Sequence, residues 1–94
     1  MNPSKPRIRL PTEVQAAIRV MHPTLKRRVR AGLDQILKDP QSGKPLKQEL
    51  TGWRSFRVGR VRIIYRQTRT AIEVGAIGPR ASIYLDAAQR LSRK

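Results

Sequence analysis

Cysteine is absent from the 94 residues, which excludes disulfides, CxxC redox chemistry and cysteine-built zinc sites. Histidine occurs once, as His22 at the start of a helical pattern, where it reads as a cap or surface residue and not as a catalytic base. No metal and no cofactor is expected, since no ligand cluster stands out and a chain this short would give up much of its core to enclose a large group. Nothing approaches the ~18 consecutive apolar residues of a membrane span. Met1 to Arg7 carry no apolar run behind their positive charges, so the start does not read as a secretory signal. The lack of cysteine fits a reducing cytoplasm, and the length fits one domain over residues 1–94.

Acidic residues are also scarce: 6 stand against 21 Lys and Arg, a formal charge of +15. Such an excess costs self-repulsion in the compact state, which points to a polyanionic partner rather than to a merely solubilising surface. Arginine dominates, and its planar fork suits bidentate contact with phosphate. Nucleic acid, an acidic membrane surface and an acidic protein all satisfy that charge.

Along the chain, Arg7 to Leu10 can form a short strand. Thr12 and Gln15 have capping-box spacing ahead of a short helix carrying Val14, Ile18 and Met21. Leu25, Val29, Leu33, Ile36 and Leu37 make one apolar stripe of a second helix, whose remaining surface carries Lys26, Arg27, Arg28 and Arg30. After Asp39-Pro40 the pattern turns to strands over 54–58, 61–67 and 71–77, and a last helix is expected from Ser82 to Leu91 with Tyr84, Ala87, Ala88 and Leu91 on one face. The fold class is α+β: an N-terminal helical hairpin packed on an antiparallel β-meander with a short C-terminal helix.

Gly59-Arg60 between the first two long strands has the signature of a two-residue type II′ turn. Such a turn sets Val58 opposite Val61, Arg57 opposite Arg62 and Phe56 opposite Ile63. One face then carries Phe56, Val58, Val61, Ile63 and Tyr65 toward the core; the other carries Arg57, Arg62 and, further on, Arg66. Like charges directly opposed across a ladder are destabilising. They make sense if an anion sits between them, the alternative being that both splay into solvent. Lys44 and Lys47 lead into these strands, Arg80 follows the last of them, and Tyr84 comes one helical turn later. A phenol among cations suits proton transfer, though Tyr84 on pattern alone also reads as a core aromatic.

These residues resemble the RelE family of toxin–antitoxin toxins. The likeness rests on Lys44 to Gly52, on Ser55-Phe56-Arg57-Val58-Gly59-Arg60-Val61-Arg62-Ile63-Ile64-Tyr65, and on Ala76-Ile77-Gly78-Pro79-Arg80 with Tyr84. It spans nearly the whole chain. The resemblance implies helices packed on an antiparallel sheet, and a metal-independent endoribonuclease that enters the ribosomal A site and cuts messenger RNA. In that chemistry a ribose 2′-hydroxyl attacks its own 3′-phosphate, leaving a cyclic phosphate and a free 5′-hydroxyl. Arg62 and Arg80 match the family's catalytic arginines, Tyr84 its C-terminal catalytic tyrosine, and Arg57 and Lys47 its charge-stabilising residues. Lys44, Arg66 and the helical set Lys26, Arg27, Arg28 and Arg30 are candidates for holding RNA or the ribosome. A cognate acidic antitoxin is the implied protein partner. The chain departs from many relatives at Ser55 and Pro79, where they carry a further basic residue and a His or Lys, which leaves the donor to the leaving 5′-oxygen unassigned.

Three alternatives accompany that reading. A ParE-like inhibitor of DNA gyrase would share the fold without cutting RNA. A plain RNA-binding module is weakened by the aromatic content, because Trp53, Phe56, Tyr65 and Tyr84 are the whole supply for base stacking. Membrane-surface binding is weakened because the apolar stripe of the basic helix is needed by the core.

Overall fold

The computed structural model describes residues 7–91, so the proline-containing basic start (1–6) and residues 92–94 lie outside the described residues. In chain order the elements are β1 (Arg7–Arg9), α1 (Thr12–Arg19), α2 (Pro23–Lys38), β2 (Lys44–Pro45), a 3₁₀ turn (Gln48–Leu50), β3 (Arg54–Val58), β4 (Val61–Gln67), β5 (Ala71–Pro79) and α3 (Arg80–Leu91). The five strands form one sheet in the order β1-β5-β4-β3-β2.

The meander β3-β4-β5 is antiparallel as expected, but the whole sheet is mixed, because β1 lies parallel to β5. The reason is the helical hairpin. Parallel neighbours need a long crossover, and α1 with α2 carries the chain across one face of the sheet before it returns at β2. Val14, Val29, Leu33 and Ile36 from the two helices are buried there against Val58, Ile63, Tyr65, Ile72 and Val74. The expected stripe of α2 is thus the core stripe, and Gly32 within it lets the helix approach Val58 and Phe56. The helix starts differ in detail. Proline at position 11 takes the N-cap of α1, so Thr12 is already helical and no capping box forms; Gln15 instead donates to the Leu10 carbonyl at 2.7 Å. His22 caps α2, its Nδ1 accepting from the Thr24 amide at 3.1 Å.

The opposite face holds a second core that the sequence reading did not anticipate. Leu50, Trp53, Ile64, Ala76, Ile83 and Ala87 pack together beneath α3. β5 runs two residues past the expected end and α3 begins at once at Arg80, where Gly78 leaves room for Ile83. The ladder between β4 and β5 slips after Ile64↔Ala76 to Tyr65↔Val74, which leaves Gly75 as an extra residue. A Cβ on Gly75 would stand 2.6 Å from the Trp53 ring, so the bulge is where the indole and the end of α3 close onto the backbone.

The link from α2 to β2 is pinned from inside. Tyr65 is fully buried, accepts from the Gly43 amide at 2.8 Å and donates to the Pro40 carbonyl at 2.7 Å. Arg54 adds a bond to the Gly43 carbonyl at 2.7 Å. Tyr65→Phe strands one buried donor and frees one carbonyl, so chemical denaturation should register a loss of about 1–3 kcal/mol. An unchanged unfolding midpoint would show that the loop is held by other means.

Candidate active-site cleft

The β3–β4 turn has the expected register. Gly59 takes φ +58 and supplies the positive φ of the turn, and Arg57 lies opposite Arg62. Side chains opposite one another share a face, so the ladder builds the site in two rows. One row runs Lys44–Ser55–Ile64–Ala76 across β2 to β5; the next runs Arg57–Arg62–Gly78 across β3 to β5. α3 lies over both. Arg80 is its first residue and Tyr84 lies one turn on, the i,i+4 spacing that sets both on one side of a helix. The Arg80 amide donates to the Arg60 carbonyl at 3.1 Å, which ties the start of α3 to the hairpin turn.

The product is a cleft of about 300 Å³ lined by Lys44, Ser55, Arg57, Arg62, Arg80 and Tyr84. No carboxylate lines it. Among the described residues the four cationic side chains make no hydrogen bond or ion pair, and the ion pair found is Arg66–Glu73, elsewhere on the sheet. The first turn of α3 holds no acidic residue either, so the positive end of its dipole adds to the local field. Such a cleft is a site for an anion with several oxygens. Ser55 is the polar residue buried beside it, and its hydroxyl lies 2.9 Å from the Tyr84 hydroxyl, where either can donate. Tyr84 is half-buried, with its ring against the second core and its hydroxyl in the cleft. Both readings of Tyr84 therefore hold for different parts of the same side chain.

The remaining candidates are distributed unevenly. Lys47 does not line this cleft; it borders an adjoining groove that shares Lys44 and Tyr84 with it. Arg66 shares the face but stands at its far end, 2.8 Å from Glu73 and 4.4 Å above the Trp53 ring, with Ile64 intervening. Lys26 turns back to the Arg19 carbonyl at 3.1 Å, which helps end α1. Arg28 lies against Gly59 at the hairpin turn, beside the groove that also borders Arg57. Arg27 and Arg30 are exposed on α2, away from the sheet. Ser55 was visible in the sequence only as a departure from relatives. Its alternation with Arg57 sets it on the arginine face, and a small hydroxyl there was the available signal.

Residues 7–84 match the family model described as the ParE toxin of type II toxin–antitoxin systems (parDE). Two solved complexes are similar in fold. One is the toxin–antitoxin complex RelBE2 from Mycobacterium tuberculosis, with 25% identity, a TM-score of 0.71, and coverage of 81% of this chain and 99% of that one. The other is the archaeal RelE–RelB complex from Pyrococcus horikoshii OT3, with 23% identity, a TM-score of 0.65, and coverage of 81% and 96%. No curated protein matches the chain.

Proposed function

The chain belongs to the ParE toxin family of type II toxin–antitoxin systems; from the chemistry of its cleft, and from the fold it shares with a RelE-type toxin complex, we propose that it acts as a ribosome-dependent endoribonuclease on messenger RNA. The observation that carries this reading is the cleft itself: four cations without a carboxylate partner surround one phenol. In the proposed reaction the 2′-oxygen of one ribose bonds to the adjacent phosphorus and the bond from phosphorus to the 5′-oxygen breaks. Negative charge grows on the phosphoryl oxygens along the way. Preformed cations in a shielded cleft stabilise that charge more than they stabilise the substrate. Only RNA offers the attacking hydroxyl. Arg57, Arg62 and Arg80 hold the phosphate, Lys44 closes the row, and the Tyr84 hydroxyl, oriented by Ser55, relays the proton, giving its own to the departing 5′-oxygen as it takes the one that leaves the 2′-hydroxyl.

The partners proposed are the ribosome with its bound messenger and a cognate acidic antitoxin. Arg27 and Arg30 on the outer face of α2 give phosphate contacts to ribosomal RNA, with affinity that falls as salt rises. A second reading is a ParE-like inhibitor of DNA gyrase that does not cut RNA, and the match to a ParE toxin model favours it. Primer extension on transcripts after brief induction separates the two. Cuts confined to translated regions support the nuclease; intact transcripts with gyrase-dependent DNA damage would replace it with the second reading.

The Ser55–Tyr84 bond yields a further expectation. Ser55→Ala should slow single-turnover cleavage by about 10-fold, the worth of one hydrogen bond near its upper limit. Added to Tyr84→Phe it should do nothing more, because coupled residues are not additive. Full additivity in that cycle would mean that Ser55 acts on its own.

A further inference from the structure

The cleft opens sideways into a groove of about 460 Å³ between the β2–3₁₀ segment and α3, and the two share Lys44 and Tyr84. We propose that this groove is a nucleobase subsite, taking the base of a nucleotide that flanks the phosphate held by the arginines. The inference rests on the nuclease reading above and extends it from phosphate to base.

The groove has the chemistry of a base and not that of a phosphate. Leu46, Leu50 and Ala88 give it apolar lining, while Lys44 and Lys47 stand at its border. A base has two apolar faces and a polar edge, and its own phosphates lie within reach of border cations once the neighbouring phosphate is fixed. Gln48 and Glu49 supply the edge partners. A carboxamide donates and accepts, and a carboxylate accepts from an exocyclic amino group. Glu49 also argues against an acidic protein segment as the occupant, since such a segment would bring like charge to it.

The backbone at Gln48 is the second observation. Gln48 is the non-glycine residue with positive φ among the described residues, at +56. Side-chain-bearing residues avoid that region, and those held there cluster where a site requires it. The conformation is locked from outside: the Gln48 carbonyl accepts from the Thr51 hydroxyl at 2.8 Å and from the Thr51 amide at 3.1 Å. Leu46 and Trp53 close the segment onto β3 through a 2.9 Å backbone bond. The lip of the groove is therefore built rigidly around a strained residue. The Gln48 side chain is exposed and makes no hydrogen bond among the described residues, which leaves its carboxamide available.

The test uses a 2′-O-methylated RNA trinucleotide, uncleavable because the attacking hydroxyl is blocked, and the same trinucleotide with its central base removed. Both are titrated into the full chain while methyl signals of Leu46, Leu50 and Ala88 and side-chain signals of Arg57, Arg62 and Arg80 are followed by NMR. The expected result is that both probes shift the arginines and only the base-bearing probe shifts the methyls. Arginine shifts without methyl shifts, or equal methyl shifts with the abasic probe, overturn the subsite and leave the phosphate site standing. If neither set moves, the nucleic-acid reading of the cleft falls and the subsite falls with it. Gln48→Gly provides a second readout, because glycine accepts the local φ and keeps the fold. In ribosomal cleavage maps it should reduce a base preference at one position beside the cut by about 2- to 10-fold, the worth of one hydrogen bond. An unaltered preference at every position would remove Gln48 from the subsite.

Discussion

Arg62→Thr is expected to leave folding stability unchanged, or to raise it by about 0.2–1 kcal/mol, the scale of one cross-strand pair, while slowing mRNA cleavage by about 10²–10³-fold. The two halves have one cause. Arg57 and Arg62 face each other across the ladder with no carboxylate between them, so the free protein carries their repulsion. Relieving such strain tends to exchange activity for stability. Glu73 offers no alternative role for Arg62, because it pairs with Arg66 in register and at 2.8 Å. Gly78, on the other side of Arg62, has no side chain to brace it. Paired melting and cleavage measurements on Arg57→Thr, Arg62→Thr and the double variant check this. The double variant should gain little stability beyond either single one, since one substitution already removes the repulsion. A clear fall in melting temperature for Arg62→Thr would overturn the anion-site argument, whatever happened to cleavage.

Tyr84→Phe should slow single-turnover cleavage by about 10²–10⁴-fold, the range of general acid–base catalysis. The ring stays where it is, packed against the second core with Leu50, Ile83 and Ala87. Only the hydroxyl goes, and with it the 2.9 Å bond to the buried Ser55. That should cost about 0.5–1.5 kcal/mol in stability, the net value of a hydrogen bond. Binding of the uncleavable trinucleotide should persist, because the arginines proposed to hold the phosphate are untouched. A wild-type rate in this variant would reduce the tyrosine to a packing residue.

Legibility followed the range of the interactions. The hairpin register could be read from five residues, because a two-residue turn with glycine first admits one pairing, and the observed ladder repeats it. The stripe of α2 was readable for the same reason: helical period is a local property. The second core was not. Ile64, Trp53 and Leu50 lie in three separate segments, and their burial depends on where α3 lands. Alternation gave the arginine face its cations but left Ile64 without a role, and Ile83 had no place in the expected stripe of the last helix. The parallel placement of β1 depends on the path of the helices, which no strand pattern records. Within the site, Arg57, Arg62, Arg80 and Tyr84 were placed together by register and helix spacing, whereas Arg66, set on the same face by strand alternation, and Lys47, matched through the family resemblance, stand outside the cleft.

Along β3 and β4 successive residues serve opposite faces, Val58, Ile63 and Tyr65 holding the main core while Ser55, Arg57 and Arg62 line the cleft. That division shapes how the gene for such a toxin decays. Under the proposed function, a missense change at a cleft position disarms the protein and leaves a folded domain. Core positions offer no such route, since a substitution there removes the domain along with its activity. A codon inserted or deleted between Arg57 and Arg62 is harsher still, since a shift of one residue turns both sets of side chains to the wrong face. Selection against toxicity should therefore leave its record as scattered missense changes on one side of the sheet, with the length of the hairpin preserved.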